Sequence, residues 1–195
     1  LASRGDWIAL IDADLDLVYW AVGNPCPLYN GAVRQGDNLF SSSVLALDPA
    51  TGTRKWHYQF TPHDTHDWDS NQDMMLVDRS FHGQPRKLLM HADRNGHFYV
   101  LDRTNGKFLA GTPFVPQTWN SGFDANGRPI LTTGSESSPE GNVIAPTIGG
   151  ATNFQAPSYS PITGWVYLAF SAGSQRYISD TPKFESGRQY PGGRG

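Results

Sequence analysis

Between Pro62 and Gln72 the sequence reads Pro-His-Asp-Thr-His-Asp-Trp-Asp-Ser-Asn-Gln, placing two imidazoles and three carboxylates in the seven positions from His63 to Asp69. Nothing else in the chain is as chemically dense. In an extended segment alternate side chains share a face, so Asp67 and Asp69 would stand together with Trp68 turned away. Two adjacent carboxylates repel unless a shared proton or a cation holds them. Oxygen ligands of this kind suit a hard, highly charged ion rather than a thiolate-seeking one. The plainer alternative is a polar loop whose Asp and His residues cap turns. The run Lys55-Trp56-His57-Tyr58-Gln59-Phe60 before it reads as a strand, and Pro62 ends ladder pairing, so the cluster falls on a loop at a strand end.

The elements that must carry this loop are β-strands. The 195 residues include 21 Gly and 14 Pro, with 12% aromatic and 17% charged residues, a balance that favours turns and rings over long helices. Net charge is -3 and no run of Lys or Arg occurs, which argues against a nucleic-acid partner. No apolar stretch approaches the roughly 20 residues of a membrane span. The first residues, Leu1 to Trp7, lack the pattern of a signal peptide, and no initiating Met is present, so the sequence is expected to be an internal piece of a longer protein. Cys26 is the only cysteine, which leaves neither an internal disulfide nor a Cys-x-x-Cys-His haem site.

Four segments share one grammar of strand, turn and aromatic-bearing strand. They run from Ile8 to Trp20, Val44 to Trp56, Phe98 to Phe108 and Ser158 to Tyr167. Asp48-Pro49-Ala50-Thr51-Gly52 and Asp102-Arg103-Thr104-Asn105-Gly106 are turn sequences, since Asp bonds its own backbone two residues on and Gly supplies positive φ. Each segment therefore reads as a hairpin, and their recurrence predicts a propeller-like array in which a Trp docks onto the neighbouring blade. Met74–Asp78 and Arg86–Ala92 read as buried strands around a turn at Phe81–Pro85. From Gln117 to Gly150 the composition predicts a long excursion with at most one short element. Residues 180–195 read as an irregular tail or insertion.

The order of motifs resembles the pyrroloquinoline quinone (PQQ)-dependent alcohol dehydrogenases, the methanol and ethanol dehydrogenase family. The resemblance rests on Gly23-Asn24-Pro25-Cys26-Pro27, Arg34-Gln35-Gly36-Asp37-Asn38-Leu39, Leu47-Asp48-Pro49-Ala50-Thr51-Gly52 leading to Trp56, Thr61-Pro62-His63-Asp64 with its Asp cluster, and Asp93-Arg94-Asn95-Gly96. It implies an all-β fold, a partial β-propeller of several blades of an eight-bladed quinoprotein ring, with residues 1–195 a fragment of that single domain. It implies a primary alcohol oxidised to an aldehyde, with PQQ as electron acceptor and a lanthanide ion or Ca2+ as Lewis acid. Asn24, Asp67 and Asp69 match metal ligands, Asp69 being the extra carboxylate of the lanthanide-using branch. Asp67 also matches the catalytic base. Arg94 matches the arginine that bonds the quinone oxygens, Trp7 the tryptophan on which the PQQ ring stacks, and Asn153 an asparagine that contacts the cofactor. Around Trp7 the sequence departs from the family's usual Thr-Gly-Ser-Tyr-Asp pattern, and His66 stands where the family places Trp. The implied partners are a small alcohol, a cytochrome c or quinone-type electron acceptor and a homodimer mate, in the periplasm.

Two other readings compete. His63, His66, Asp67 and Asp69 could serve a metal-dependent hydrolase, although their spacing fits no helix-borne pair of ligands. A non-catalytic propeller used as a binding scaffold is the other, because fold does not dictate function.

Overall fold

The computed structural model describes residues 9–181 and 183–195. Strands β1 (Ala9–Asp12), β2 (Leu17–Val22), β3 (Ser43–Leu47) and β4 (Arg54–Gln59) form one four-stranded antiparallel meander. Strands β5 (Met74–Phe81), β6 (Gln84–Ala92), β7 (His97–Asp102) and β8 (Lys107–Pro113) form a second. A two-stranded sheet, β9 (Asn120–Phe123) with β10 (Pro129–Leu131), follows. Next, β11 (Asn142–Ile144) pairs with the distant β14 (Gln175–Ser179) and through it with β15 (Gly193–Arg194). Between β11 and β14 lies the hairpin of β12 (Ser158–Tyr159) and β13 (Val166–Tyr167). No α-helix occurs among the described residues.

The two meanders stack face to face. In β2 the residues Leu17, Tyr19 and Ala21 alternate inward, as period-2 pleating requires. With Val44, Ala46, Trp56, Tyr58 and Phe60 they meet Met74, Leu89, Tyr99 and Leu101 of the second meander in one apolar layer. The opposite face of the second meander, through Val77, Leu88, Met90 and Val100, packs on Tyr159 and Val166 of the β12–β13 hairpin. Successive antiparallel sheets packed in this manner are blades.

The expected docking of a tryptophan onto the next blade is present. Trp56 lies so close over Gly106 that a Cβ there would come 2.6 Å from its ring, and Gly106 has φ +75 in the turn between β7 and β8. Beside it, Tyr19 donates to Asp12 and to the Arg103 carbonyl, and Arg103 Nε donates to Asp12 at 2.7 Å. Burial raises the Asp12 carboxyl, but bonds from Arg103 and Tyr19 more than offset this and hold it below its usual range.

The excursion after Gln117 holds three short strands, β9 to β11, where at most one element was expected. Each is short, and β11 finds its partner some thirty residues on, so no local periodicity marks it. The last residues carry β15, and the Tyr29 N–H donates to the Pro191 carbonyl at 2.9 Å.

Candidate functional site

The site forms where three loops leave the blades. The first, after β2, carries Asn24. The second, after β4, carries Asp67 and Asp69, and the third, between β6 and β7, carries Arg94. Asp69 joins them. Its Oδ1 accepts the Asn24 backbone N–H at 2.8 Å, and its Oδ2 accepts from Arg94 Nη1 at 3.0 Å. Asp67 stands within electrostatic reach of both Asp69 and Arg94.

The pairing of the two carboxylates does not come from strand alternation. Asp67 has φ 64, in the left-handed region, so the loop turns sharply there instead of running extended. Trp68 is nonetheless directed inward and is fully buried, its indole N–H donating to the Thr147 carbonyl at 3.0 Å.

Three observations test the site against a cation and an electron-rich ligand. Asn24 is buried and its side-chain Oδ1 has no hydrogen-bond partner. A buried carbonyl left unpaired is costly, and a cation is one partner that would satisfy it. Burial, then the charge of Asp69, pushes the Asp67 carboxyl up to about 7 against the opposing pull of Arg94. A positive ion placed there would relieve both effects. Finally, Arg94 Nε is buried without a partner, while Nη2 donates to the Ile148 carbonyl at 2.8 Å. The residues fit a metal ion beside an acceptor for one guanidinium N–H.

The segment from Thr147 to Asn153 closes over Arg94. Ala151 N–H donates to the Arg94 carbonyl at 2.9 Å, and a Cβ on Gly150 would come 2.6 Å from Arg94 Cβ, so glycine is what lets the loop pass. Asn153 donates from Nδ2 to the Gly149 carbonyl at 3.0 Å and lines a cleft with Thr152, Phe170 and Ser171. Trp7 lies outside the described residues.

His63 and His66 are held by groups other than Asp67 and Asp69, which removes the basis of the hydrolase reading. His63 Nδ1 faces the Gly36 carbonyl at 2.6 Å, and its ring packs against Gly31. His66 is buried, with Nδ1 3.0 Å from Asp64 Oδ1, Nε2 2.6 Å from the Ser135 carbonyl, and its ring stacked on Trp68 at 4.0 Å. Among the described residues no group of three or more His, Cys, Asp or Glu side chains is arranged to hold a metal ion. The Asn24 amide oxygen is one further ligand that this chain could offer a cation beside Asp67 and Asp69.

Residues to which the sequence reading gave no site role also shape the site. Arg34 donates from Nε to the Pro27 carbonyl and from Nη2 to the Asp64 carbonyl, tying the Asn24 loop to the Asp67 loop. Tyr29, Trp68, Trp119, Ile144 and Tyr177 form the apolar floor. Burial, with the charges of Asp67 and Asp64, raises the Tyr29 hydroxyl to about 12.

Comparison with known proteins places this arrangement. Residues 6–120 match the family model for the PQQ glucose/ethanol/alcohol dehydrogenase β-propeller domain. The chain belongs to this family of quinoprotein β-propellers. It is 42% identical over 184 residues to a quinohemoprotein alcohol dehydrogenase of Comamonas testosteroni, covering 93% of this chain and 26% of that protein. It is 44% identical over 165 residues to a quinoprotein alcohol dehydrogenase of Pseudomonas putida, covering 80% of this chain and 28% of that protein. A solved europium-containing methanol dehydrogenase superposes with a TM-score of 0.89 at 32% identity, covering 94% of this chain and 32% of that one. The chain thus spans about a quarter of the length of the curated relatives it matches.

Proposed function

We propose that the complete protein containing this chain is a PQQ-dependent dehydrogenase that oxidises a primary alcohol to an aldehyde in the periplasm. The observation that carries this reading is the convergence of the unpartnered Asn24 Oδ1, the Asp67 and Asp69 carboxylates and the unpartnered Arg94 Nε. Asn24, Asp67 and Asp69 would hold the metal, while Arg94, Trp7 and Asn153 would hold PQQ. When bound, PQQ supplies the two-electron acceptor and the metal supplies Lewis acidity.

This chain's own part is positioning and proton handling. Asp67 accepts the proton of the alcohol hydroxyl, a task suited to a carboxylate held in a shielded site. Arg94 offers its Nε N–H, preorganised by the bonds of Nη1 and Nη2, to an oxygen on which negative charge grows. The wall of Trp68, Trp119 and Tyr177 limits water beneath the loops.

Two relatives bear on the electron acceptor. One is named 1-butanol dehydrogenase (cytochrome c), from Thauera butanivorans, and another is the dehydrogenase subunit of an alcohol dehydrogenase (quinone) from Acetobacter aceti. We assign a cytochrome c or a quinone-type acceptor on this basis. The metal reading favours a lanthanide, because Asp69 adds a second anionic ligand and Coulomb attraction grows with ion charge.

The test is dye-linked alcohol oxidation by the complete protein reconstituted with PQQ and either calcium or a light lanthanide. Activity in the wild type and its loss in Asp67→Asn, with PQQ retained, is the expected result. An Asp67→Asn protein that turns over at the wild-type rate would sink the assignment of the base.

A further inference from the structure

We propose that Asp64 and His66 are positioning residues that set the left-handed turn at Asp67 and so aim its carboxylate; this rests on the alcohol dehydrogenase reading above. A non-glycine residue with positive φ persists only where its surroundings over-determine it. Asp67, at φ 64, is such a residue, and the groups that hold it can be named.

The Asp64 carboxylate straddles Asp67. Oδ1 accepts the His66 backbone N–H at 3.0 Å, and Oδ2 accepts the Trp68 backbone N–H at 2.9 Å, so the Thr65–His66 and Asp67–Trp68 peptides, which bracket Asp67, are pinned to one side chain. That side chain has no exposure to solvent. A buried carboxylate is retained only when several donors satisfy it, and the third here is His66 Nδ1 at 3.0 Å. The imidazole is itself immobilised. Its Nε2 faces the Ser135 carbonyl at 2.6 Å and its ring stacks on Trp68 with the planes 12° apart. Trp68 in turn is anchored to the Thr147 carbonyl, and the Asp64 backbone carbonyl accepts from Arg34.

The three groups bonded to the Asp64 carboxylate all lie on the segment that bears Asp67. Loosening Asp64 or His66 should leave the blades intact and let the 66–68 turn relax. Asp67 would then leave its bearing on the alcohol proton while Arg94, on a separate loop, kept its place.

The test uses the complete enzyme, with Asp64→Asn, His66→Leu and His66→Asn compared with wild type for kcat, KM, PQQ content, thermal midpoint and affinity for a luminescent lanthanide. Asp64→Asn and His66→Leu are expected to lower kcat by about ten- to a hundredfold, the scale of a small misplacement of a reacting group, and to weaken lanthanide binding with PQQ content unchanged. His66→Asn returns an N–H donor near the Nδ1 position and is expected to recover most of the lost kcat. Equal kcat in His66→Leu and His66→Asn would overturn the proposal even if Asp64→Asn failed to fold. A lowered thermal midpoint with kcat and lanthanide affinity unchanged in Asp64→Asn would also overturn it, leaving a structural role alone. Asp67→Asn separates the two ideas: inactivity there with a fully active Asp64→Asn refutes the positioning role only, whereas an active Asp67→Asn refutes the underlying reading.

Discussion

Arg94 donates from Nη1 to a carboxylate and from Nη2 to a backbone carbonyl, and its buried Nε has no protein partner. The Nε N–H is a group that a quinone oxygen would engage. Arg94→Ala is expected to weaken PQQ binding by about 1.5–3 kcal/mol, the usual worth of a hydrogen bond to a charged group. Equilibrium titration with PQQ checks this, and an unchanged affinity would contradict it. Asp69 has a different office, since it already bonds Asn24 and Arg94. Asp69→Ala is expected to weaken lanthanide binding more than calcium binding, because the lost attraction scales with ion charge. Competitive metal titration decides the matter: equal losses for both ions would contradict the preference, and no loss for either would make Asp69 a loop carboxylate only.

At the scale of elements, the turns were the most legible part of the sequence. Asp48 Oδ1 accepts from the backbone of Ala50 and Thr51, and Asp102 Oδ1 from Thr104, which is the local chemistry that Asp-x-x-x-Gly turns announce. The candidate residues Asn24, Asp67, Asp69 and Arg94 lie in contiguous motifs, which is what let a family resemblance propose them. Their supports could not be read in this way. Arg34 reaches Asp64 across thirty residues and Trp68 reaches Thr147 across seventy-nine, so no local pattern reveals them. The left-handed turn at Asp67 was also hidden, because its determinant is the satisfaction of the Asp64 carboxylate and not residue propensity. One turn carries a prediction of its own. Gly106→Ala adds a Cβ 2.6 Å from the Trp56 ring at φ +75, combining overpacking with backbone strain. A loss of about 1–3 kcal/mol is expected, read as a lower thermal midpoint of the complete protein; an unchanged midpoint would mean that Trp56 is free to shift.

For the whole molecule, acid sensitivity has an identifiable contributor. His97 is buried among Tyr99, Trp119 and Phe123, and burial pushes it down to about 4 despite the opposing charge of Asp93. Its neutral form is favoured when folded, so the unfolded chain binds more protons between pH 6.5 and about 4. The stability it contributes is complete above about 6.5 and is lost as pH falls through about 4. Thermal midpoints of the complete protein should decline across that window, and less steeply in His97→Phe; parallel profiles would remove His97 as the cause. The bond from the Tyr29 N–H to the Pro191 carbonyl, together with that from Asn30 to the Asp180 carbonyl, has a consequence in time. During synthesis at roughly 5–20 residues per second, the loop following Asn24 must wait on the order of ten to thirty seconds before Pro191 leaves the ribosome. The blade cores can form in that interval, whereas the clasp on the loop that bears Asn24 is fastened only after the strands that flank it have been made.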